Sequence, residues 1–153
     1  MAEQPHIKII ARNKKARFDY FIDAEYEAGI SLKGTEVKSL RLGKANLKDA
    51  YAKIRGGEIF VYQMHISEYP FAHYGNHAAN RPRKLLLHKY EIKRLIGKTQ
   101  EKGFTLIPLN LYFKKGNVKI TIALARGKQK YDKREAIRKR DEKREMARER
   151  KGS

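Results

Sequence analysis

The chain has 153 residues, which is enough for one domain with a modest hydrophobic core and too few for two ordinary domains. Its 36 Lys and Arg residues outnumber 17 Asp and Glu, and the net charge of +19 favours a polyanionic partner, nucleic acid before an anionic membrane. The absence of cysteine excludes disulfides and cysteine-based zinc sites, and no apolar run approaches the ~20 residues that span a bilayer.

Two β-hairpins are predicted from turn residues between apolar runs. Residues 51–62 form the first, because the pair Gly56-Gly57 supplies the positive φ angles that a tight turn requires. Residues 104–125 form the second, with a turn at Lys115-Gly116-Asn117 and clear alternation of apolar and polar residues after it. Residues 18–34 are rich in aromatic and β-branched types and predict a further extended segment.

Two helices interrupt this strand pattern. The first covers Thr35 to about Leu42, and the second covers Lys89 to Lys102, with Gly103 as a suitable C-cap. Residues 68–84 have the composition of a loop. The body, residues 1–126, therefore fits a mainly β fold with accessory helices, an antiparallel β-barrel of the oligonucleotide-binding (OB) type. An open α+β sheet would give a similar periodicity.

The composition changes after residue 126. Residues 127–153 hold 12 basic and 6 acidic residues, so a net charge of +13 remains on the body, which is strongly basic by itself. Residues 131–151 contain no Gly or Pro and predict a helix, but Ile137 and Met146 are its only large aliphatic residues, too sparse for an apolar stripe. Isolated helices of this length are marginal in water. We expect a basic C-terminal tail that is disordered alone and becomes helical beside a polyanion.

No catalytic site, metal site or cofactor is predicted. The serines lie in no recognisable nucleophile motif, and His73 and His77 have no third ligand at metal-site spacing. We expect these loop histidines to be exposed polar residues or RNA contacts. Aromatic residues among many cations favour RNA with unstacked bases, on which Tyr and His rings stack. The first 12 residues lack the apolar stretch of a secretory signal, so a cytoplasmic protein is expected.

Five segments, taken in chain order, carry a resemblance to a known family: Asn13–Arg17, Tyr26–Gly29, Gly34–Arg41, Arg83–His88 and Gly127–Arg134. Together they resemble the SmpB family, whose members bind transfer-messenger RNA (tmRNA, also called SsrA RNA). The resemblance implies an OB-like barrel with a C-terminal tail. It also implies binding to the tRNA-like domain of tmRNA, support of its aminoacylation and delivery to stalled ribosomes, and trans-translation.

The resemblance also implies RNA-contacting residues in the body. The family's RNA-contacting glutamate falls on Glu27, although a structural charge is the alternative. The leucine and the polar residue of the family's Lys-Leu-Leu-Leu-Asn motif fall on Leu86 and His88, where His replaces Asn and could instead belong to the start of the following helix. Charge and placement, rather than the family, add five further RNA contacts: Lys38, Arg41, Arg81, Arg83 and Lys84.

The tail is implied to enter the ribosome, at the decoding centre of 16S rRNA and in the mRNA channel. Its Gly127, Asp132, Lys133 and Arg134 match the family's linker and Asp-Lys-Arg element. Tyr131 stands where some members have a histidine that stacks on a decoding-centre base, and its ring can also stack. Contacts with rRNA phosphates are expected from Lys128, Lys130, Arg138, Lys139 and Arg140.

Other functions stay open at this point. A constitutive ribosomal protein that binds rRNA would have a similar charge. A tail that binds membranes or calmodulin would need an apolar face, which this tail lacks. We expect a monomer.

Overall fold

A computed structural model describes residues 6–151, and in the last helix it describes side chains for residues 132–148 only. Strands dominate the body, and the longest helix follows the last strand. The strands are β1 (Ile7–Arg12), β2 (Tyr20–Ile30), β3 (Ala45–Asn46), β4 (Tyr51–Arg55), β5 (Glu58–Tyr62), β6 (His65–Ile66), β7 (Arg83–Leu86), β8 (Phe104–Lys114) and β9 (Asn117–Gly127). The helices are α1 (Ala16–Asp19), α2 (Gly34–Arg41), α3 (Lys89–Thr99) and α4 (Lys130–Lys151).

Six antiparallel strands form a closed ring in the order β8, β4, β5, β7, β2 and β9, and β9 pairs back to β8. Strand β1 pairs with residues 110–114 of β8, on the edge that β4 contacts at Leu106, and the two-residue strands β3 and β6 pair separately. The closure excludes the open sheet that the sequence left possible. The predicted fold class, mainly β with accessory helices, is confirmed, and the tail contains helix α4 (Lys130–Lys151). Disorder of the tail in the free protein stays a prediction.

Alternation along β9 fills the inside of the ring. Ile120, Ile122 and Leu124 are buried there, as their spacing predicts for a strand with one face in the core. The opposite face is also covered, because α1 places Ala16 over a second cluster that includes Ala123. Residues 107–109 of β8 and 123–125 of β9 are therefore covered on both faces.

Both predicted hairpins are confirmed. Between β4 and β5, Gly56 and Gly57 have φ angles of 58° and 77°. Between β8 and β9, the positive φ angles fall on Lys115 and Gly116, at 51° and 80°, and Asn117 already begins β9. The turn is thus one residue shorter than predicted, since a two-residue turn matches the twist of the paired strands.

Three local predictions were wrong. Residues 18–19, the start of the segment predicted as extended, belong to helix α1, because the Lys15 carbonyl accepts hydrogen bonds from the N–H groups of Phe18 and Asp19. Strand β7 begins at Arg83, inside the segment predicted as loop, because β5 and β2 pair with it from both sides. Helix α3 ends at Thr99, and Gly103 takes its φ of 89° just before β8 instead of capping the helix.

Candidate nucleic-acid interface

Glu27 projects from the outer face of β2, and two residues of β8 hold its carboxylate. The Tyr112 hydroxyl donates a hydrogen bond to Oε2, and Lys114 Nζ lies 3.0 Å from Oε1. The hydrogen bond from Tyr112 is the largest effect on the pKa of Glu27; with the charges of Lys114 and Lys119, it keeps that pKa below its usual value despite partial burial. The side chain is still 40% exposed. The carboxylate is therefore ionised, oriented and open to donors of a ligand.

Leu86 lies beside this carboxylate on the neighbouring strand. It is opposite Gly29 in the β2–β7 register, and Gly29 is two residues, about 7 Å, from Glu27 on the same face of β2. A Cβ on Gly29 would lie 3.3 Å from the Leu86 Cβ, so glycine lets the exposed leucine lie close to β2. The Leu86 side chain is 53% exposed, and the structure therefore brings the predicted Glu27 and Leu86 to one surface.

His88 precedes the first residue of α3 and extends this surface. Its backbone N–H donates to Glu91 Oε1 at 3.3 Å, which satisfies one amide at the helix start. Its ring stacks on Tyr90, with ring centroids 5.4 Å apart and an angle of 10° between the planes. Tyr90 is 65% exposed and was not predicted from the sequence, although an aromatic residue two positions after the motif was a usable signal. Two parallel exposed rings form a platform on which a base can stack.

Three of the basic residues predicted from charge are exposed. Lys38 and Arg41 lie on the outer side of α2, and Lys38 Nζ is 5.6 Å from the centre of the Tyr69 ring. Lys84 lies on β7 and forms an ion pair of 2.9 Å with Glu58. All three are placed where a phosphate can reach them.

Arg83 is fully buried, so the prediction that it contacts RNA was wrong. Its guanidinium donates to Glu36 Oε2 and to the carbonyls of Met64, at 2.6 Å, and Ala79, at 3.0 Å. Arg81 also donates to Glu36 and is 25% exposed, so it is largely committed to the same network. Both arginines hold the segment between β6 and β7 to helix α2.

His77 is also buried, contrary to the expectation of an exposed histidine. Its Nδ1 lies 2.9 Å from Thr35 Oγ1, and its Nε2 lies 2.8 Å from the carbonyl oxygen of Ile66. It is therefore a structural residue, whereas His73 is exposed. Across residues 6–151, no cluster of three or more potential ligands is arranged to hold a metal ion.

Lys128 and Lys133 connect the tail to the body. The Lys128 N–H donates to the Asp19 carbonyl at 2.8 Å, and its Nζ donates to the carbonyl of Arg17 at 3.1 Å. Lys133 Nζ lies 3.1 Å from Asp19 Oδ1 and 5.9 Å from the centre of the Phe18 ring. The start of the tail is thus held against α1 by Lys128, which precedes α4, and by Lys133 in its first turn; both cations were predicted to contact the ribosome.

The rest of the tail projects its charges into solvent. Gly127 ends β9, and Asp132 Oδ2 accepts a hydrogen bond from the Gln129 N–H at 3.3 Å near the helix start. Arg138 lies 3.5 Å from Glu135 and 3.9 Å from Glu142. The side chains of Lys130 and Tyr131 lie outside the described part, so their ribosomal contacts stay predictions. The remaining predicted cations of the tail are exposed: Arg134, Lys139 and Arg140. In residues 6–151, no helix is long and apolar enough to cross a membrane.

The family model described as SmpB protein matches residues 10–152. The chain belongs to the SmpB family. The SsrA-binding protein of Desulforudis audaxviator is 57% identical over 152 residues, which cover 99% of each chain. That of Syntrophobacter fumaroxidans is 60% identical over 144 residues, or 94% of this chain and 89% of the relative.

A solved structure described as "tmRNA-SmpB: a journey to the center of the bacterial ribosome" has a similar fold. The TM-score is 0.66 and the sequences are 47% identical, over 83% of this chain and 93% of the other. The resemblance to SmpB proteins inferred from five sequence segments is confirmed by these similarities.

Proposed function

We propose that this protein binds the tRNA-like domain of tmRNA and acts in trans-translation, the rescue of stalled ribosomes. The RNA binds to the surface formed by Glu27, Leu86, His88 and Tyr90, which we name the RNA face. The oriented Glu27 carboxylate carries the proposal. An exposed anion within a basic surface repels phosphate, so a carboxylate held there is expected to accept hydrogen bonds from donor groups of the RNA. Relatives 55–60% identical to this chain bear the name SsrA-binding protein.

Each part of the RNA face has a distinct chemical role. Glu27 accepts hydrogen bonds from base amino groups or 2′-hydroxyls, which lysine cannot accept. The exposed Leu86 side chain packs against the sugar or the edge of a base. The His88 and Tyr90 rings stack on an unpaired base, and Lys84 is close enough along β7 to pair with a phosphate. Specific contacts are therefore surrounded by general electrostatic attraction.

The tail, residues 127–153, has a separate role in the ribosome. Helix α4 exposes its large apolar residues Ile137 and Met146, so burial of an apolar face does not hold it on the body. Its described contacts with α1 lie in the first turn, at Lys133. We infer that the rest of the tail is disordered alone and becomes helical when its cations meet rRNA phosphates in the decoding centre and the mRNA channel.

The protein acts by binding and positioning RNA, not as an enzyme, and it works without a cofactor. The RNA face has no arrangement of nucleophile and general base among its described side chains. We propose that the protein is a cytoplasmic monomer, since tmRNA and the ribosome are its partners there.

A tail deletion tests the two roles separately. A chain ending at residue 126 should bind the labelled tRNA-like domain of tmRNA as the full chain does, since the core and the RNA face precede the deletion. The same variant should fail to support peptide tagging on stalled ribosomes. A chain ending at residue 151 is the matched control and should retain both activities.

Intact tagging by the chain without its tail would contradict the proposed ribosomal role. Loss of tmRNA binding by a folded body would contradict the proposed RNA face. A constitutive ribosomal protein would instead co-sediment in equal number with all ribosomes, whereas a rescue factor is scarce and enriched on stalled ones.

A further inference from the structure

The hairpin of β4 and β5 carries an aromatic and cationic cluster on its outer side. Tyr51 and Tyr62 are opposite each other in the strand register, and their rings stack with centroids 5.4 Å apart and an angle of 19°. Lys53 Nζ lies 5.7 Å from the centre of the Tyr51 ring, and Arg55 Cζ lies 5.3 Å from that of Tyr62. We name these four residues the hairpin face.

Core packing does not account for this cluster. The inward side chains of the same hairpin are Ala52, Ile54, Ile59 and Val61; Ile54 is partly buried and the other three are buried. Tyr51 and Tyr62 are only partly buried on the other side. A stacked cross-strand pair stabilises a hairpin modestly, but this effect does not require a cation beside each ring.

The charge of the hairpin face suits an anionic ligand. Lys53 and Arg55 are exposed, and neither is in an ion pair with a described carboxylate. Glu58 is the acidic residue of the hairpin, and Lys84 on β7 neutralises it at 2.9 Å. An RNA nucleotide offers both complements, a base with a π-face for a ring and a phosphate for a cation.

The hairpin face borders the RNA face. Phe60 of β5 is opposite Lys84 of β7 in the register, and it is partly exposed beside Lys53 of β4. Lys84 and Leu86 both point outward from β7, two residues and about 7 Å apart. An RNA strand bound to the RNA face can therefore continue onto the hairpin face without crossing an edge of the sheet.

We propose that the hairpin face is a second contact for the same RNA, the tRNA-like domain of tmRNA, and that it binds an unpaired nucleotide. Lys53 and Arg55 move from the rings to the flanking phosphates, and the base stacks on the ring face of the Tyr51–Tyr62 pair that a cation leaves free. This inference rests on the proposed function, since it assigns additional nucleotides of the RNA bound at Glu27 and Leu86. Cations beside each ring favour this ligand over an apolar protein segment, which would leave both charges desolvated.

Ultraviolet cross-linking of the full-length protein to the tRNA-like domain, followed by mass spectrometry of the peptides, tests the proposal. RNA adducts are expected within residues 51–62 as well as within residues 83–91 of the RNA face. In binding measurements with the same RNA, Tyr62→Leu should weaken affinity by about tenfold, as expected for the loss of one base–aromatic stack. Tyr62→Phe is the matched control, because it keeps the ring, and should stay within about twofold of the unchanged protein.

The outcomes separate this inference from the proposed function. Adducts within residues 83–91 alone, with equal affinities for Tyr62→Leu and Tyr62→Phe, would overturn the hairpin face and leave the RNA face intact. Absence of adducts and of binding would overturn both. Adducts at the hairpin that arise only with ribosomes would overturn the assignment to tmRNA. If Tyr62→Leu does not fold, Lys53→Gln with Arg55→Gln keeps both rings, and unchanged affinity of that variant would overturn the proposal.

Discussion

Arg83 and Glu36 form an ion pair in which both side chains are fully buried, 47 residues apart in the chain. Arg81 and the Lys33 N–H donate to the second oxygen of the same carboxylate. The pair joins β7 to α2, and β7 in turn carries Leu86 of the RNA face. A buried charge network thus supports the surface that we propose for tmRNA.

Removal of the Glu36 charge should destabilise the fold strongly. Glu36→Gln leaves two guanidinium groups without a counter-charge, one of them fully buried, and loss of one partner of such a pair costs about 3–5 kcal/mol. Urea unfolding measures the free energy. Glu58→Gln breaks an exposed pair with Lys84 and is the control, with an expected loss below about 1 kcal/mol. Equal losses of unfolding free energy in the two variants would show that the buried ion pair stabilises the fold no more than the exposed one.

The same carboxylate predicts an acid-sensitive stability. Burial acts against ionisation of Glu36, but hydrogen bonds from Arg81, Lys33 and Arg83 outweigh it, so its pKa in the folded protein lies below the ordinary value of 4.5. The unfolded chain therefore takes up the proton first. The stabilisation is present above pH 4.5 and declines as the pH falls through the lower, folded-state pKa. Urea midpoints from pH 6 to pH 3 should converge for the unchanged protein and Glu36→Gln; a constant gap would contradict this assignment.

Local patterns were sufficient to predict the hairpins, but not the residues that cluster through distant contacts. Gly56 and Gly57 identify their turn without other information, because few residues adopt positive φ. Arg83 was predicted as a surface cation because of its charge and its place in a basic segment. Its burial depends on an ion pair with Glu36, which is far away in the chain. The partners of Glu27 were missed for the same reason, because Tyr112 follows it by 85 residues. No periodicity pairs side chains across such separations.

Glu27→Ala should weaken binding to the tRNA-like domain by about tenfold, as for the loss of a hydrogen bond to a charged group. Binding to a single-stranded polyuridine probe should change little or become stronger, because the variant removes one negative charge. Glu25→Ala is the control, since Glu25 lies on the same strand, pairs with Arg17 at 2.8 Å and is not in the RNA face. Fluorescence anisotropy gives both affinities. Parallel losses for the two RNAs would remove Glu27 from the recognition surface.

The ion pair of Asp19 with Lys133 should orient the start of the tail. The chain has no cysteine, so spin labels at Glu68→Cys and Lys139→Cys report one distance between body and tail. Asp19→Asn should broaden that distance distribution, and added salt should reproduce the effect in the unchanged protein, since an exposed pair contributes less than about 1 kcal/mol. Asp49→Asn is a control at a distant turn. A distribution that neither Asp19→Asn nor salt changes would show that other contacts fix the tail.

The most direct measurement sequences the RNA cross-linked in cells to the full-length protein. We predict one dominant tRNA-like species, tmRNA, accompanied by 16S rRNA fragments of the decoding centre that disappear when residues 127–153 are deleted. Recovery of ribosomal RNA alone, with no enriched tRNA-like species, would contradict the proposal that the body of this protein recognises tmRNA.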